Sequence, residues 1–281
     1  LMLLVGAEVI AMLLVIVFGM PIYWLKEPTR QENAIVGFDQ RAAQRGFVLF
    51  QPADSEVPEG NIGHFACGGC HGTKGEGAVA VYSLTDAGGT ARQVRWAAPA
   101  LNTVLTRFSP AEVSNIITYG RANTPMPAWG VAGGGPMNEQ QVQDLVAYIA
   151  SLQLSEKEQQ ALYAKQFKDA GLDFTDGADL FSQFCSRCHT KGWSYDWKNS
   201  AGVAFETPPL PGSGAFGPNL TGGSTLLQFP DIADHLEFVT LGSDYEKPYG
   251  ARGNGSGRMP GFGAMLSDAQ IRAIVEYERS L

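Results

Sequence analysis

The chain has 281 residues, with 28 acidic and 20 basic side chains and a formal net charge of −8. This length suits two small domains better than one large domain, since domains of about 100–150 residues are the most common. The acidic balance argues against nucleic acid as a partner. Residues 34–152 carry seven basic and nine acidic side chains, and residues 172–281 carry eight and thirteen. The more acidic second half either attracts a basic docking surface or only improves solubility.

The first predicted element is an apolar helix over residues 1–25. The segment contains one charged residue, Glu8, and ends in Tyr23 and Trp24 before Lys26. A helix of this length spans about 37 Å, enough for a bilayer core of about 30 Å, and Tyr and Trp are typical of the membrane interface. A cleaved signal peptide is the alternative, but the run is long and lacks a small-x-small cleavage site. We predict a retained, single-pass membrane anchor.

Two short motifs follow, CGGCH at 67–71 and CSRCH at 185–189. Together they use all four cysteines of the chain. C-x-x-C-H is the attachment signature of c-type haem, in which both thiols bond the porphyrin and the histidine binds the iron. The sequence therefore predicts two covalently bound haem c groups, each with its own iron. The attachment residues are Cys67, Cys70 and His71 in the first motif, and Cys185, Cys188 and His189 in the second.

Other chemistries of paired cysteines fit less well. A zinc ribbon also uses two C-x-x-C pairs, but these lie about 15–20 residues apart, whereas Cys70 and Cys185 are 115 positions apart. A thioredoxin-like dithiol requires a βαβ pattern, and no strand-rich run is predicted beside either motif. A disulfide within each motif would leave the repeated histidine unexplained.

The chain repeats itself around these motifs. After CGGCH come APAL at 98–101 and MPAWG at 126–130; after CSRCH come GPNL at 217–220 and MPGFG at 259–263. The histidine and the proline are 28 residues apart in the first copy and 29 in the second. The proline and the methionine are 27 and 41 residues apart, so the second copy contains an insertion.

With this order of elements, each half resembles a class I c-type cytochrome domain. We therefore predict a mostly α protein, with a transmembrane helix at 1–25, cytochrome c domains at 34–152 and 172–281, and a connecting helix or linker at 153–171. The resemblance implies that His71 and His189 are the proximal iron ligands and that Met126 and Met259 are the distal ones. It also implies that Pro99 and Pro218 shape the proximal loops and that Trp129 is directed towards a haem propionate.

The methionine assignment has rivals within the chain. Met126 and Met259 each precede a proline, which restricts the backbone and can hold the thioether in place. Met137 and Met265 lie just before or at the start of the closing helices, where a core methionine is more common. We therefore predict Met126 and Met259 as the ligands and the other two as core residues.

Two histidines are not predicted to bind iron. His64 and His235 are the remaining histidines, and we expect each to be a surface or haem-edge residue. Glu278 lies three residues from the last position and is expected to be solvated.

Helix starts are visible at four places as capping boxes, in which a Ser or Asn is followed three residues later by Glu or Gln. These pairs are Ser109 and Glu112, Asn138 and Gln141, Ser155 and Glu158, and Ser267 and Gln270. The third pair predicts a short connecting helix rather than a flexible tether. The insertion at 191–217, which contains Trp193 and Trp197, is either a docking loop or a cover over the haem edge.

The resemblance implies electron transfer. A histidine and a methionine on each iron fill both axial positions, which suits transfer and leaves no open position for substrate. We therefore expect no enzymatic activity of the chain by itself. The alternatives are a dihaem peroxidase and the electron-accepting subunit of a periplasmic dehydrogenase.

Two kinds of respiratory subunit combine such domains with a membrane helix. The chain is similar to the dihaem cytochrome cc subunit of quinol:cytochrome c reductases and to the dihaem subunit of cbb-type haem–copper oxidases. We expect a relay between a quinol-oxidising complex and a terminal oxidase, with a soluble redox protein as a further partner. The haem domains would lie on the periplasmic face of the bacterial cytoplasmic membrane.

Overall fold

The computed structural model describes residues 2–56, 63, 65–85, 88–195 and 210–281. His64 and Trp197 therefore lie outside the described residues. The fold is mostly helical, which confirms the predicted class. The helices are α1 (Met2–Leu14), α2 (Met20–Phe50), α3 (Gly68–His71), α4 (Pro110–Tyr119), α5 (Glu139–Ser151), α6 (Glu156–Ala170), α7 (Gly177–Phe184), α8 (Ser186–His189), α9 (Ser224–Gln228), α10 (Ile232–Leu241) and α11 (Asp268–Ser280). The strands are β1 (Val79–Thr85), β2 (Ala91–Ala97), β3 (Pro248–Tyr249) and β4 (Gly253–Asn254).

The helices α1 and α2 form one continuous helical run, joined by a π turn over Val15–Gly19. The π turn comes just before Pro21, which cannot donate a hydrogen bond to the carbonyl four residues earlier. At 1.5 Å per residue the run is about 73 Å long. The helix over Glu8–Phe50 includes a stretch long and apolar enough to cross a membrane. The apolar segment therefore continues without a break into the first helix of the first cytochrome-like half.

In both halves, two helices cross at a glycine. A Cβ atom on Gly46 of α2 would lie 2.0 Å from the carbonyl oxygen of Asp144 in α5. A Cβ atom on Gly177 of α7 would lie 2.2 Å from the carbonyl oxygen of Ala273 in α11. No side chain fits at either position, so each crossing requires glycine.

Four residues after each of these glycines, a phenylalanine contacts a tyrosine on the crossing helix. The ring centroids of Phe50 and Tyr148 are 5.2 Å apart, and those of Phe181 and Tyr277 are 5.4 Å apart. Both phenylalanines are almost fully buried. The repeat seen in the sequence is therefore also a structural repeat, with one hydrophobic core in each half.

The helix between the halves, α6, contacts both of them. Its Tyr163 and Phe167 belong to the second hydrophobic core. On the other side, the hydroxyl of Thr106 donates to Gln159 Oε1 at 3.3 Å. The helix is thus packed along its length rather than extended as a tether, while the division of the chain at residues 153 and 171 stays a prediction.

Local sequence signals are confirmed at the helix ends. All four predicted capping boxes are present, with both reciprocal hydrogen bonds in each. The helix α4 ends at Gly120, which adopts a φ of +70°. Met137 and Met265 are buried in the two cores, as predicted.

The antiparallel hairpin β1–β2 was not predicted. It pairs Val79 with Ala97 and Tyr82 with Val94. Its Trp96 is buried against Tyr195, with the ring centroids 5.4 Å apart, and the Ala97 N–H donates to the Ser194 carbonyl at 2.8 Å. The expectation that no strands flank the first motif is therefore wrong. A two-stranded antiparallel hairpin is nevertheless different from the βαβ unit of a thioredoxin-like site.

The expectations that His235 lies at the surface and that Glu278 is solvated are also wrong. Both side chains are buried rather than exposed, and His235 Nε2 lies 3.0 Å from Glu278 Oε2. The His235 ring stacks in parallel on Phe229 at 4.6 Å. The physical reason is that the Glu278 carboxylate pairs with His235 Nε2, which offsets the cost of burying both side chains.

Candidate haem-binding sites

The two C-x-x-C-H motifs have the same local structure. In each, the first cysteine precedes a single helical turn, α3 or α8, that contains the second cysteine and ends at the histidine. One turn of helix places the two thiols and the imidazole on neighbouring positions of a short segment. This arrangement allows the two thiols to bond to neighbouring positions on the edge of one porphyrin while the imidazole faces its iron.

Each motif histidine is held by the proline loop predicted to support it. His71 Nδ1 donates to the Pro99 carbonyl at 2.9 Å, and His189 Nδ1 donates to the Pro218 carbonyl at 3.0 Å. A carbonyl can only accept, so the proton is on Nδ1 and the lone pair of Nε2 is free for a metal. Burial lowers the pKa of His71, which keeps this ring neutral near pH 7.

No disulfide joins any of the four cysteines. Burial raises the pKa of Cys67 to about 12 and raises the pKa of Cys185 and Cys188. A redox-active dithiol requires a lowered thiol pKa, which these residues lack. Among the described residues, no three His, Cys, Asp or Glu side chains converge as a zinc site would need. The donor set therefore fits covalent haem better than a dithiol or zinc centre.

The two methionine loops are anchored in the same way. The Arg121 N–H donates to the Met126 carbonyl at 3.0 Å, and the Ser243 N–H donates to the Met259 carbonyl at 2.9 Å. Each loop follows a glycine that ends the preceding helix with a positive φ, Gly120 in the first half and Gly242 in the second. A thioether in a loop fixed at its base is a suitable second axial ligand.

The loops also place the aromatic residues that follow the methionines. The Trp129 N–H donates to the Ile117 carbonyl at 3.0 Å, and the Phe262 N–H donates to the Val239 carbonyl at 3.0 Å. The Trp129 ring meets Phe65 edge-on, with the centroids 5.7 Å apart. The described contacts do not join either methionine to the histidine of its half, so ligation from the two sides of an iron stays a prediction.

Three arginines that were not predicted as site residues lie near the contact between the halves. They are Arg107, Arg121 and Arg187, here called the interdomain arginine cluster. The guanidinium carbons of Arg107 and Arg121 lie 6.0 and 5.2 Å from the ring centroid of Phe108. Arg187 belongs to the second motif, CSRCH, and its Nη1 donates to the Ala97 carbonyl at 2.6 Å. The one feature of the sequence that pointed to this cluster was Arg187, a basic residue inside the C-x-x-C-H motif of the more acidic half.

Comparisons with known families agree with this geometry. The family described as cytochrome c matches residues 45–153. The family described as cytochrome c oxidase, cbb3-type, subunit III matches residues 172–277. No curated protein and no solved structure shows significant similarity to the chain. Cytochrome c domains imply covalently bound haem c. The chain therefore belongs to the c-type cytochromes and contains two cytochrome c domains in tandem after an N-terminal apolar helix.

Proposed function

We propose that the chain is a membrane-anchored dihaem cytochrome that relays electrons within a respiratory assembly. The observation that carries the proposal is the duplicated site, in which a C-x-x-C-H turn is held by a proline carbonyl and accompanied by an anchored methionine loop. His71 and Met126 would bind the first iron, and His189 and Met259 the second. Two filled axial positions on each iron favour electron transfer over substrate chemistry.

The proposed partner is a cbb3-type oxidase, because the second domain matches the family of that oxidase's subunit III. A quinol-oxidising complex is the proposed donor. The apolar helix, whose side chains from Val9 to Leu25 are exposed in the isolated chain, would lie in the membrane. The haem domains would then be extracytoplasmic, on the side where haem c is attached.

The first test is the haem content and ligation of the purified full-length protein. We expect about two haems per chain that resist acid–acetone extraction, because each motif forms covalent bonds to one porphyrin. Met126→Ala and Met259→Ala should each remove about half of the near-infrared band that arises from thioether–ferric iron bonding. Met137→Leu is the matched control, since Met137 is fully buried in the core. A single haem per chain, or an unchanged band in both alanine variants, would contradict the proposal.

The second test concerns the assembly. Protein solubilised from native membranes should co-purify with oxidase subunits, and its haems should be oxidised by that oxidase. A variant lacking residues 1–25 should be released from membranes as a haem-loaded soluble protein, whereas the full chain should resist washing with salt and alkali. Release of the full chain by salt alone would exclude the membrane anchor.

A further inference from the structure

A buried histidine–carboxylate pair in the second domain takes the place of an apolar contact in the first. His235 is the fourth residue after the N-cap of α10, and Val113 is the fourth after the N-cap of α4. Glu278 is the eleventh residue after the N-cap of α11, where α5 has Ile149. Val113 and Ile149 are both buried in the core of the first domain. Because apolar residues occupy these positions in one copy of the fold, folding alone does not explain the polar pair in the other.

The pair can hold one proton or two. With one proton, on Nε2, the His235 imidazole is neutral and donates to Glu278 Oε2 at 3.0 Å, so the pair has one net negative charge. The other ring nitrogen, Nδ1, is buried and has no hydrogen-bond partner among the described residues. A second proton, bound by Nδ1 or shared with the carboxylate, would neutralise the pair. Since a net charge in the interior is costly, the pair is suited to proton uptake.

The groups around the pair leave its negative charge without a counter-ion. Within the described part of the chain, no arginine or lysine forms a salt bridge with Glu278. Its neighbour Arg279 instead donates to the Phe229 carbonyl at 2.6 Å. The Phe229 ring stacks on His235 on one side and on Tyr249 on the other, and α9 contains no titratable residue. The remaining charged groups of α10 and α11 are exposed to solvent: Asp231, Asp234, Glu237, Asp268, Arg272 and Glu276.

The pair lies beside the second haem site. Burial and, after it, the charge of Glu278 raise the pKa of Cys185, the first attachment residue of that site, so the carboxylate acts on it electrostatically. On the other helix, His235 lies one turn before Val239, whose carbonyl accepts from the Phe262 N–H of the methionine loop. An electron on the second haem would therefore change the free energy of a proton on the pair.

We infer that His235 and Glu278 form a proton-binding site coupled to the second haem, and that the pair takes up one proton from solvent when this haem is reduced. The inference rests on the proposed function, because it requires a haem at the second motif. A ferric haem c has one net positive charge at its centre, which offsets the negative charge of the pair, and the ferrous haem has none. One electron and one proton together leave the total charge of the site unchanged. The first domain lacks this coupling, because Val113 and Ile149 cannot bind a proton.

The test is a redox titration of the full-length protein from about pH 5 to pH 8, the range in which histidine changes charge. Because reduction is coupled to proton uptake, a rise in pH disfavours the reduced state. At fixed potential, the ratio of reduced to oxidised haem in one of the two components should fall by up to tenfold per pH unit, or about 59 mV. The other component should lack this dependence.

The double variant His235→Val, Glu278→Ile installs the residues of the first domain and should lose the pH dependence. It should match the unmodified protein at the acidic end, where the native pair is neutral. At the alkaline end it should be more reduced, because it lacks the negative charge that favours the ferric haem. Glu278→Gln keeps a hydrogen-bond partner for His235 and should be similarly more reduced at the alkaline end. Haem content and melting temperature verify that both variants fold.

Proton uptake gives a second readout. Full reduction in weakly buffered solution, followed with a pH-indicator dye, should take up fewer protons in the double variant, by up to one per chain. Glu276→Gln removes an exposed acid from the same helix. It is the matched control and should leave both the pH dependence and the proton uptake unchanged.

Three results would overturn the inference. They are haems whose reduction is independent of pH in the unmodified protein, a pH dependence that survives in both variants, and an altered melting temperature with unchanged pH dependence and proton uptake, which would show a structural role only. In each of these cases two haems still bind and accept electrons, so the proposed function stands. If no haem is bound at the second motif, the proposed function fails and the inference fails with it.

Discussion

The buried pair of His235 and Glu278 connects two helices of the second domain. His235 in α10 and Glu278 in α11 are 2% and 4% exposed, and their side chains are 3.0 Å apart. The second ring nitrogen, Nδ1, has no hydrogen-bond partner among the described residues. Glu278 is therefore the one polar group within the described part of the chain that satisfies the buried imidazole, and its removal would leave that ring unpaired.

We expect Glu278→Ala to destabilise the protein by about 3–5 kcal/mol, because it breaks a buried pair and leaves one partner without compensation. Glu278→Gln keeps the volume and a hydrogen-bond acceptor, so it should lose less. Denaturant unfolding of the haem-loaded protein measures both effects.

Glu276→Ala is the control for this measurement, since Glu276 lies on the same helix and is exposed. Its effect should stay within about 0.5 kcal/mol. Equal stability of the Glu278→Ala and Glu276→Ala variants would show that the pair contributes nothing.

At the scale of elements, the glycine crossing between α2 and α5 fixes the N-terminal helical run to the first domain. Beside Gly46, Arg45 donates from Nε and Nη2 to the two carboxylate oxygens of Asp144, at 2.7 and 2.6 Å. Asp144 also accepts from Gln140 Nε2 at 2.9 Å. The close backbone approach and the bidentate pair act at the same point, so the crossing is held by both packing and charge.

Gly46→Ala should weaken this crossing, because the new Cβ atom would overlap the Asp144 carbonyl and force the helices apart. Overpacking of this kind costs about 1–3 kcal/mol, which for a domain of this size lowers the melting temperature by about 4–8 °C per kcal/mol. Thermal unfolding of the full-length protein in detergent gives the measurement.

Gly37→Ala, on the same helix, is the control, because it changes helix propensity in the same way without affecting the helix crossing. A Cβ atom there would meet only the flexible end of Arg41, at 3.2 Å. This variant should be neutral or more stable, by up to about 1 kcal/mol. A Gly46→Ala protein that melts at or above the Gly37→Ala protein would refute the packing argument.

These elements also show how far the sequence alone could predict the structure. Capping boxes such as Ser109 with Glu112 are local, and the duplicated motifs locate both sites, so the helices and the candidate haem residues were predictable. The partner of Glu278 is 43 positions away, and the Trp96 hairpin packs against Tyr195 of the other domain. Contacts of that kind depend on how distant segments meet, which neither periodicity nor propensity encodes.

At the scale of the whole molecule, the acidic second domain presents α10 to solvent. Asp234 and Glu237 are exposed on this helix, which makes α10 a candidate for the acidic docking surface that is one interpretation of the charge of the second half. Asp231 is also exposed, but its side chain caps the helix by accepting from the Ala233 N–H at 2.9 Å. A test of docking should therefore leave Asp231 in place.

The double variant Asp234→Lys, Glu237→Lys should slow oxidation of the reduced protein by a basic partner roughly tenfold at low salt, because it reverses the attraction that steers their encounter. The difference from the unmodified protein should shrink as ionic strength approaches physiological values. Stopped-flow oxidation rates measured across a salt series report this effect.

The matched control is Asp268→Lys, Glu276→Lys, which reverses two exposed acids on α11 and changes the net charge equally. It should have a much smaller effect, since α11 is a different surface. Equal slowing in both double variants would indicate that net charge alone matters, without a docking face on α10.

The continuous helix from Met2 to Phe50 has a mechanical consequence. With residues 1–25 in the bilayer, residues 26–45 would form a helical spacer about 30 Å long between the lipid and the helix crossing at Gly46. A helical segment holds the first domain at a more uniform distance from the lipid than an unstructured linker would, and Pro28 is the point within it where the helix bends most readily. The domains would then meet a redox partner by lateral and rotational diffusion in the membrane. An electron donor or acceptor would have to extend to the same distance from the lipid to reach them.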